Sequence, residues 1–202
     1  MFWQQIHQLD QQITLCINSW NSPFSDPVWQ FFSDKWVWIP MYLGIVALMI
    51  WKLGWKKGLI VIAAAGLTFA FCDQFSNLVK VAVGRIRPCN DEFMLASGLH
   101  VLETGGSFSF FSAHAANAIG LAASTFTGLK SGIRLQGCTE SPRWVKTYGG
   151  WMFFWAAMVG ISRIFVGRHY LGDVMVGFIV GAAAGIIFGR LARWVMNKYF
   201  TR

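Results

Sequence analysis

His169 and Asp173 stand four residues apart, so on a helix they share one face, and the carboxylate can accept the Nδ1 proton while leaving Nε2 free to attack. An imidazole oriented in this way is a nucleophile or a base. A second histidine, His114, sits beside Ser112 at the start of an apolar run, where helix N-terminal amides also favour an anion. Lys80, Arg87, Arg163 and Arg168 supply positive charge near these groups. Guanidinium forks match phosphate oxygens bidentately, and an ammonium adds a point charge. Two histidines, one of them oriented, beside several cations suit phosphoryl transfer through a phosphohistidine. Each part alone has a plainer explanation: cations snorkel toward lipid headgroups, and His–Asp pairs at this spacing often cap or crosslink helices.

The elements that must hold these groups follow from composition. The chain has 202 residues, which suits one domain over 1–202. Hydrophobic residues make up 55% and charged residues 13%, against roughly 25% charged in a soluble domain. Disorder is excluded, and a water-soluble globule is disfavoured. Eleven Trp and eighteen Phe fit lipid-facing surfaces and interfacial belts. Crossing about 30 Å of hydrocarbon takes about 20 mostly apolar residues. Trp36–Trp55, Gly58–Lys80, Phe108–Leu129, Tyr148–Ile164 and Val174–Val195 qualify, the fourth being the shortest. Met1–Asn18 is apolar at Phe2, Trp3, Ile6, Leu9, Ile13, Leu15 and Ile17 with Gln between, which fits a helix lying in the interface. Pro23 and Pro27 then break the chain. The expected fold is an all-α polytopic membrane bundle of about five transmembrane helices, with 1–35 as interfacial segment and 36–202 as transmembrane core.

Lys and Arg set the orientation. Lys52, Lys56, Lys57, Lys130, Arg134, Arg143, Lys146, Arg190, Arg193, Lys198 and Arg202 alternate onto one side, eleven of the seventeen basic residues. Five of the other six cluster with the histidines on the opposite side. Arg85, Cys89 and Arg168 are therefore expected to face outward, and Lys57, Cys138 and Lys198 the cytoplasm.

The formal net charge of +8 does not point to nucleic acid, because the basic residues lie in short runs between apolar stretches rather than on one exposed face. Cys16, Cys72, Cys89 and Cys138 lack the close pairing of a metal site and read as packing residues. No signal peptide is expected, since the first basic residue is Lys35.

Three stretches together are more specific than any one. Lys80-Val-Ala-Val-Gly-Arg-Ile-Arg87-Pro88 matches K-x6-R-P, Phe111-Ser112-Ala113-His114 approximates P-S-G-H, and Ser162-Arg163-x5-His169-x3-Asp173 matches S-R-x5-H-x3-D. In order and separation they resemble the signatures of the type 2 phosphatidic acid phosphatase superfamily. The resemblance implies a membrane lipid phosphatase or pyrophosphatase that needs no cofactor or metal. His169 would be the nucleophile, Asp173 its orienting carboxylate and His114 the general acid. Ser112, Lys80, Arg87 and Arg163 would bind the phosphate. Candidate substrates are undecaprenyl pyrophosphate, phosphatidylglycerophosphate, phosphatidate and lipid A. The layout is most similar to bacterial undecaprenyl pyrophosphate phosphatases, which would place the protein in the inner membrane with its site on the periplasmic face. The alternative is a non-enzymatic transporter or lipid-binding protein holding anionic lipid in the same pocket.

The sequence departs from the family pattern at Phe111 and Ala113. Losing proline frees the turn, and a methyl at Ala113 disfavours positive φ. Asp73 lies two helical turns before Lys80 with Asn77 between, so it either tunes Lys80 or fixes packing. His100 reads as a solvated loop residue and His7 as interfacial. The Gly and Ala run in 177–189 should permit close helix approach. Partners beyond lipid substrate and membrane lipids are not indicated, nor is an oligomeric state.

Overall fold

Among the residues described by the computed structural model, 2–138 and 140–200, the chain is helical, with a single antiparallel bridge between Ile86 and Phe108 and no strand. Met1, the side chain of Phe2 and the whole of Arg202, all used above, lie outside that description. The elements are α1 (Phe2–Asn18), α2 (Asp26–Ser33), α3 (Ile39–Leu53), α4 (Trp55–Val83), a 3-10 turn at Pro88–Asn90, α5 (Glu92–Ala96), α6 (Ala113–Arg134), α7 (Arg143–Phe165) and α8 (Leu171–Phe200).

Five helices correspond to the five expected spans, but they differ in kind. Only α4 and α8 are long and apolar enough to cross a membrane on their own terms; at 1.5 Å per residue each reaches about 45 Å. The helix of the first span is shorter, 15 residues, because Trp36–Trp38 precede it and Gly54, at φ +76°, ends it. Helix α6 begins five residues later than the apolar run, where Ser112 caps it by accepting from Ala115 N. It lies at the centre of the bundle against α3, α4, α7 and α8, and its Ala, Gly and Ser residues are mostly buried. A helix shielded by protein needs no lipophilic exterior, which accounts for its modest hydropathy.

Close approach of α6 and α8 depends on small residues. A Cβ added at Gly177 would stand 2.7 Å from the Ser112 carbonyl, and one at Gly189 would stand 2.8 Å from Thr127 Cβ. Gly181 and Gly185 meet the backbone of Ala116 and Gly120 in the same way. In lipid, where apolar burial drives helices together weakly, this contact gives dispersion attraction its range. Four-residue spacing puts these glycines along one face of α8, as the sequence leads one to expect.

The N-terminal segment is more structured than an interfacial anchor. Helix α1 turns its polar residues Gln11, Thr14 and Asn18 into the protein and leaves Trp3, Ile6, Leu9 and Ile13 exposed. Asn18 Nδ2 donates to the carbonyls of His100, Ile164 and Phe165. Pro27 starts α2 rather than breaking the chain, because a proline in the first turn lacks only an N–H that would be unpaired anyway. Helix α2 packs on α7 with Trp29 stacked on Phe165 at 4.1 Å.

Two ends result. At one, Gln136 donates to the Lys52 carbonyl, and the Lys52 ammonium lies over Trp51 and Trp144, which gathers the ends of α3, α6 and α7. At the other, α1, α2 and the 84–112 and 166–170 loops interlock through Leu102 N and Glu103 N, both donating to the Val166 carbonyl. All three motifs lie at this second end.

Candidate active site

Lys80 occupies the last turn of α4, and Gly84 ends that helix in the left-handed region at φ +65°, where a Cβ would be strained. The chain then turns so that Arg87 Nε donates to the Phe108 carbonyl. Arg163 comes from the last turn of α7, His169 from the loop that follows, Asp173 from the first turn of α8, and His114 from the first turn of α6. Four helix ends thus converge, and Lys80, Arg87, His114, Arg163, Arg168 and His169 all line one cavity of about 700 Å³.

His169 Nδ1 lies 3.4 Å from Asp173 Oδ2, with both side chains buried. Burial pushes the His169 pKa down to about 4 against the opposing pull of Asp173, so the ring is neutral at physiological pH and its Nε2 lone pair is available. The same Asp173 oxygen accepts from Tyr170 N at 3.1 Å, and Asp173 Oδ1 accepts from Arg85 Nη1 at 2.8 Å. The Asp173 carboxylate is therefore itself held from two sides.

Arg87 and Arg163 are buried, Arg168 is half-buried, and all three are incompletely paired. Arg163 Nη1 donates to Glu103 and to Ser33, and Arg168 Nη1 to the Thr104 carbonyl. Arg87 Nη1, Arg163 Nε and Arg168 Nε have no partner among the described residues although each is buried. Leaving a buried donor unmade costs about 1–3 kcal/mol, more when it is charged, and three around one cavity are a demand for an oxyanion. Burial also lowers the Arg87 pKa, with Arg168 adding to it, which is the direction a shared anion would reverse.

The cavity has a second half. Beyond the cations it runs between α3 and α4 past Ile39, Tyr42, Val46, Met49, Ile62 and Phe69. Asp73 and Asn77 line the stretch between, with Asn77 Nδ2 3.5 Å from Asp73 Oδ2. One end thus suits a phosphate and the other an alkyl chain.

A family model described as the PAP2 superfamily matches residues 54–197. The chain belongs to the PAP2 superfamily. A lipid A 4'-phosphatase of Bacteroides thetaiotaomicron is 33% identical over 91% of this chain and 76% of its own length, and one of Porphyromonas gingivalis is 26% identical over 90% and 72%. Two crystal structures share the fold at 21% identity. A PAP2-type phosphatidylglycerolphosphate phosphatase of Bacillus subtilis has TM-score 0.69, covering 96% of this chain and 88% of that one. LpxE of Aquifex aeolicus has TM-score 0.64, covering 89% and 93%. This PAP2 protein is accordingly a membrane hydrolase acting on lipid phosphate.

Within this PAP2 member, six of the seven site residues named from sequence lie at or beside the cavity, Asp173 through its contact with His169. Ser112 does not line it: its hydroxyl accepts from Ala115 N as the cap of α6, and its amide donates to the Asp173 carbonyl. Ala113 is a helical residue, and positive φ among the described residues occurs only at glycine, so the methyl at Ala113 meets no backbone conflict. Phe111 is buried with Cys72, Ala116 and Ala184 in the space between α4, α6 and α8. His100 is a part-exposed loop residue, and its Nε2 lies 2.9 Å from Asp26 Oδ2, which ties α2 to the loop. His7 turns toward Arg85 at 3.1 Å. Cys72 and Cys89 are buried as packing residues should be, but Cys16 and Cys138 are exposed. Sequence reading missed Ser33, Glu103 and Arg85 as partners of site residues; the strongest available signal was Arg85 itself, a third basic residue inside the first motif.

Proposed function

We propose that this PAP2 phosphatase cleaves a phosphate from a membrane lipid in two displacement steps on His169, and that its lipid is of the lipid A kind. The observation that carries the reaction is the cavity that joins buried, unpaired arginine N–H groups to an apolar channel between α3 and α4. A phosphorylated lipid presents those two chemistries in that order, whereas a soluble phosphoester would leave the apolar half unused.

In the first step His169 Nε2 attacks phosphorus, the P–O bond to the lipid breaks, and His114 gives a proton to the departing oxygen. In the second, water attacks phosphorus, His114 takes a proton from it, the P–N bond breaks and inorganic phosphate leaves. Asp173 keeps the Nδ1 proton and stabilises the charge that His169 acquires. Lys80, Arg87 and Arg163, joined by Arg168, offset the charge on the phosphoryl oxygens. Ser112 acts through the cap of α6, which fixes His114, rather than by direct contact.

The named substrates of the two curated relatives favour lipid A over undecaprenyl pyrophosphate, the preference drawn from layout. The motif end, with α1 lying on it, faces outward, and α3, α4, α6, α7 and α8 all cross the membrane as one domain. Purified protein in detergent, offered lipid A, undecaprenyl pyrophosphate, phosphatidylglycerophosphate and phosphatidate, should release phosphate fastest from lipid A. His169→Ala should release none. Fastest release from another lipid would replace the substrate, and release by His169→Ala would remove the covalent step.

A further inference from the structure

Asp173 is fixed by a side chain that belongs to none of the consensus positions, and that side chain is fixed by a helix outside the region the family model covers. Arg85 Nη1 donates to Asp173 Oδ1 at 2.8 Å, and Arg85 Nη2 donates to Asp10 Oδ2 of α1 at 2.7 Å. His7 Nδ1 lies 3.1 Å from the same Nη2, and the guanidinium carbon lies 3.8 Å over the Tyr170 ring. The Tyr170 hydroxyl donates to Asp91 Oδ2 at 2.7 Å, and Gln11 of α1 donates to that oxygen at 3.1 Å. The Arg85 carbonyl accepts from Ser109 N at 2.8 Å, so the backbone is pinned as well.

Helix α1 also serves as the cap of α8. Gly172 N donates to Asp10 Oδ1 at 2.9 Å, and Leu171 N donates to Thr14 Oγ1 at 3.0 Å. These are first-turn amides of α8, which in an ordinary helix would be met by a residue just preceding it. Here another helix supplies the acceptors, so the position of Asp173 along its helix depends on α1.

We propose that Asp10 and Arg85 form a positioning relay through which α1 holds Asp173, and through it His169, in register for attack. The proposal rests on His169 being the nucleophile. Asp10 offers one oxygen to Arg85 and the other to the start of α8, so a single carboxylate sets both ends of the contact. Around Asp173 the charged and titratable neighbours are His169, Arg85 and Tyr170, with Lys80 and Arg87 also in electrostatic reach; around His169 they are Asp173, Arg163 and Arg87; around Arg85 they are Asp10, His7, Asp173 and Tyr170. With Arg85 gone, the Asp173 charge loses its hydrogen-bonded cation and bears more strongly on His169, which raises the affinity of the imidazole for a proton.

The test uses Arg85→Gln, Arg85→Lys, Asp10→Asn and the double variant Asp10→Asn/Arg85→Gln in the full chain, assayed for phosphate release from the lipid that wild type cleaves best. Asp10→Asn keeps an acceptor for Gly172 N and removes the charge. Arg85→Gln should lower kcat roughly 10–100-fold with KM within about twofold, the scale typical of partners that orient a reacting group. Its acid limb in kcat/KM should move to higher pH, which a merely structural loss would not produce. Arg85→Lys should recover part of the rate, and the double variant should be no worse than Arg85→Gln alone. A rise in KM at unchanged kcat, or losses that add and track the melting temperature with an unmoved acid limb, would overturn the relay. His169→Ala keeps the two readings apart. If it stays active the nucleophile is wrong; if it is dead while the Arg85 and Asp10 variants behave as wild type, only the relay fails.

Discussion

The two ends of the bundle carry the same kinds of cation and use them differently. At the end away from the motifs, Lys52 lies 3.7 Å over Trp51, and Lys56 and Lys198 lie over Trp55 and Trp194, all at exposed rings. At the motif end Arg87 and Arg163 are buried and lean on a carbonyl, a hydroxyl and a carboxylate while keeping unpaired N–H groups. An exposed cation over an aromatic ring gains about 0.5–1 kcal/mol and satisfies the interface. A buried unpaired donor costs about 1–3 kcal/mol and satisfies nothing until an anion arrives. Arginine is suited to the second task, because its fixed fork remains charged where an ammonium would lose its proton. Charge counting orients the two ends; burial and pairing show which of them is short of an anion.

The largest effect expected from breaking this asymmetry is in the nucleophile. His169→Ala should reduce kcat/KM by roughly 10⁴-fold or more, as loss of a covalent nucleophile does elsewhere, whereas Lys57→Ala at the opposite end should change it less than about twofold. The clamp comes next. Arg163→Gln should cost about 10²–10³-fold in kcat/KM, the magnitude seen when one preorganised donor to a transition-state oxyanion is removed. Lys52→Gln should alter neither parameter, and comparable losses at the two ends would mean that the buried arginines only hold the fold together.

The clamp illustrates what sequence could show. That Lys80, Arg87, Arg163, His114, His169 and Asp173 gather at one end was legible because their types and their short spacings within each motif are those of phosphate chemistry. So were the five helical segments, because apolar length is written locally. The partners Ser33, Glu103 and Arg85 were not, since Ser33 and Glu103 lie 130 and 60 residues from Arg163 and a serine or glutamate in a loop carries no period. Helix α2 was hidden by Pro27, which breaks a helix in its interior and favours one at its start. Ser112 carries a part that its motif position does not reveal: its hydroxyl accepts from the Ala115 amide as the cap of α6.

A smaller effect concerns pH. The folded His169 pKa is depressed to about 4, chiefly by burial, while an unfolded histidine takes a proton near 6.5. Between those values the unfolded chain holds a proton that the folded chain lacks, so stability falls as pH drops through that window. His169 itself stays neutral until the lower limit. The acid limb of kcat/KM should therefore lie below pH 6.5, and His169→Ala should flatten the stability loss over the same range. An acid limb centred at 6.5 would place His169 in a wetter setting than its burial allows.

The smallest effect, and the one that fixes which end is outside, is a difference in thiol labelling. Sequence alone nominated Cys89 against Cys138, but Cys89 is buried beside Arg87 and would resist a reagent from either side. Cys16 on α1 is exposed at the motif end, and Cys138, also exposed, follows α6 at the basic end. In single-cysteine variants on intact cells, an impermeant maleimide should label Cys16 and should reach Cys138 only after the membrane is permeabilised. Arg85, Asp10 and the cation cluster all lie on the Cys16 side, so this orientation puts the phosphate-binding end toward the outside medium. Labelling of Cys138 with Cys16 protected would invert the molecule, and the basic loops with their Trp-stacked lysines would then break the usual bias of Lys and Arg toward the cytoplasm.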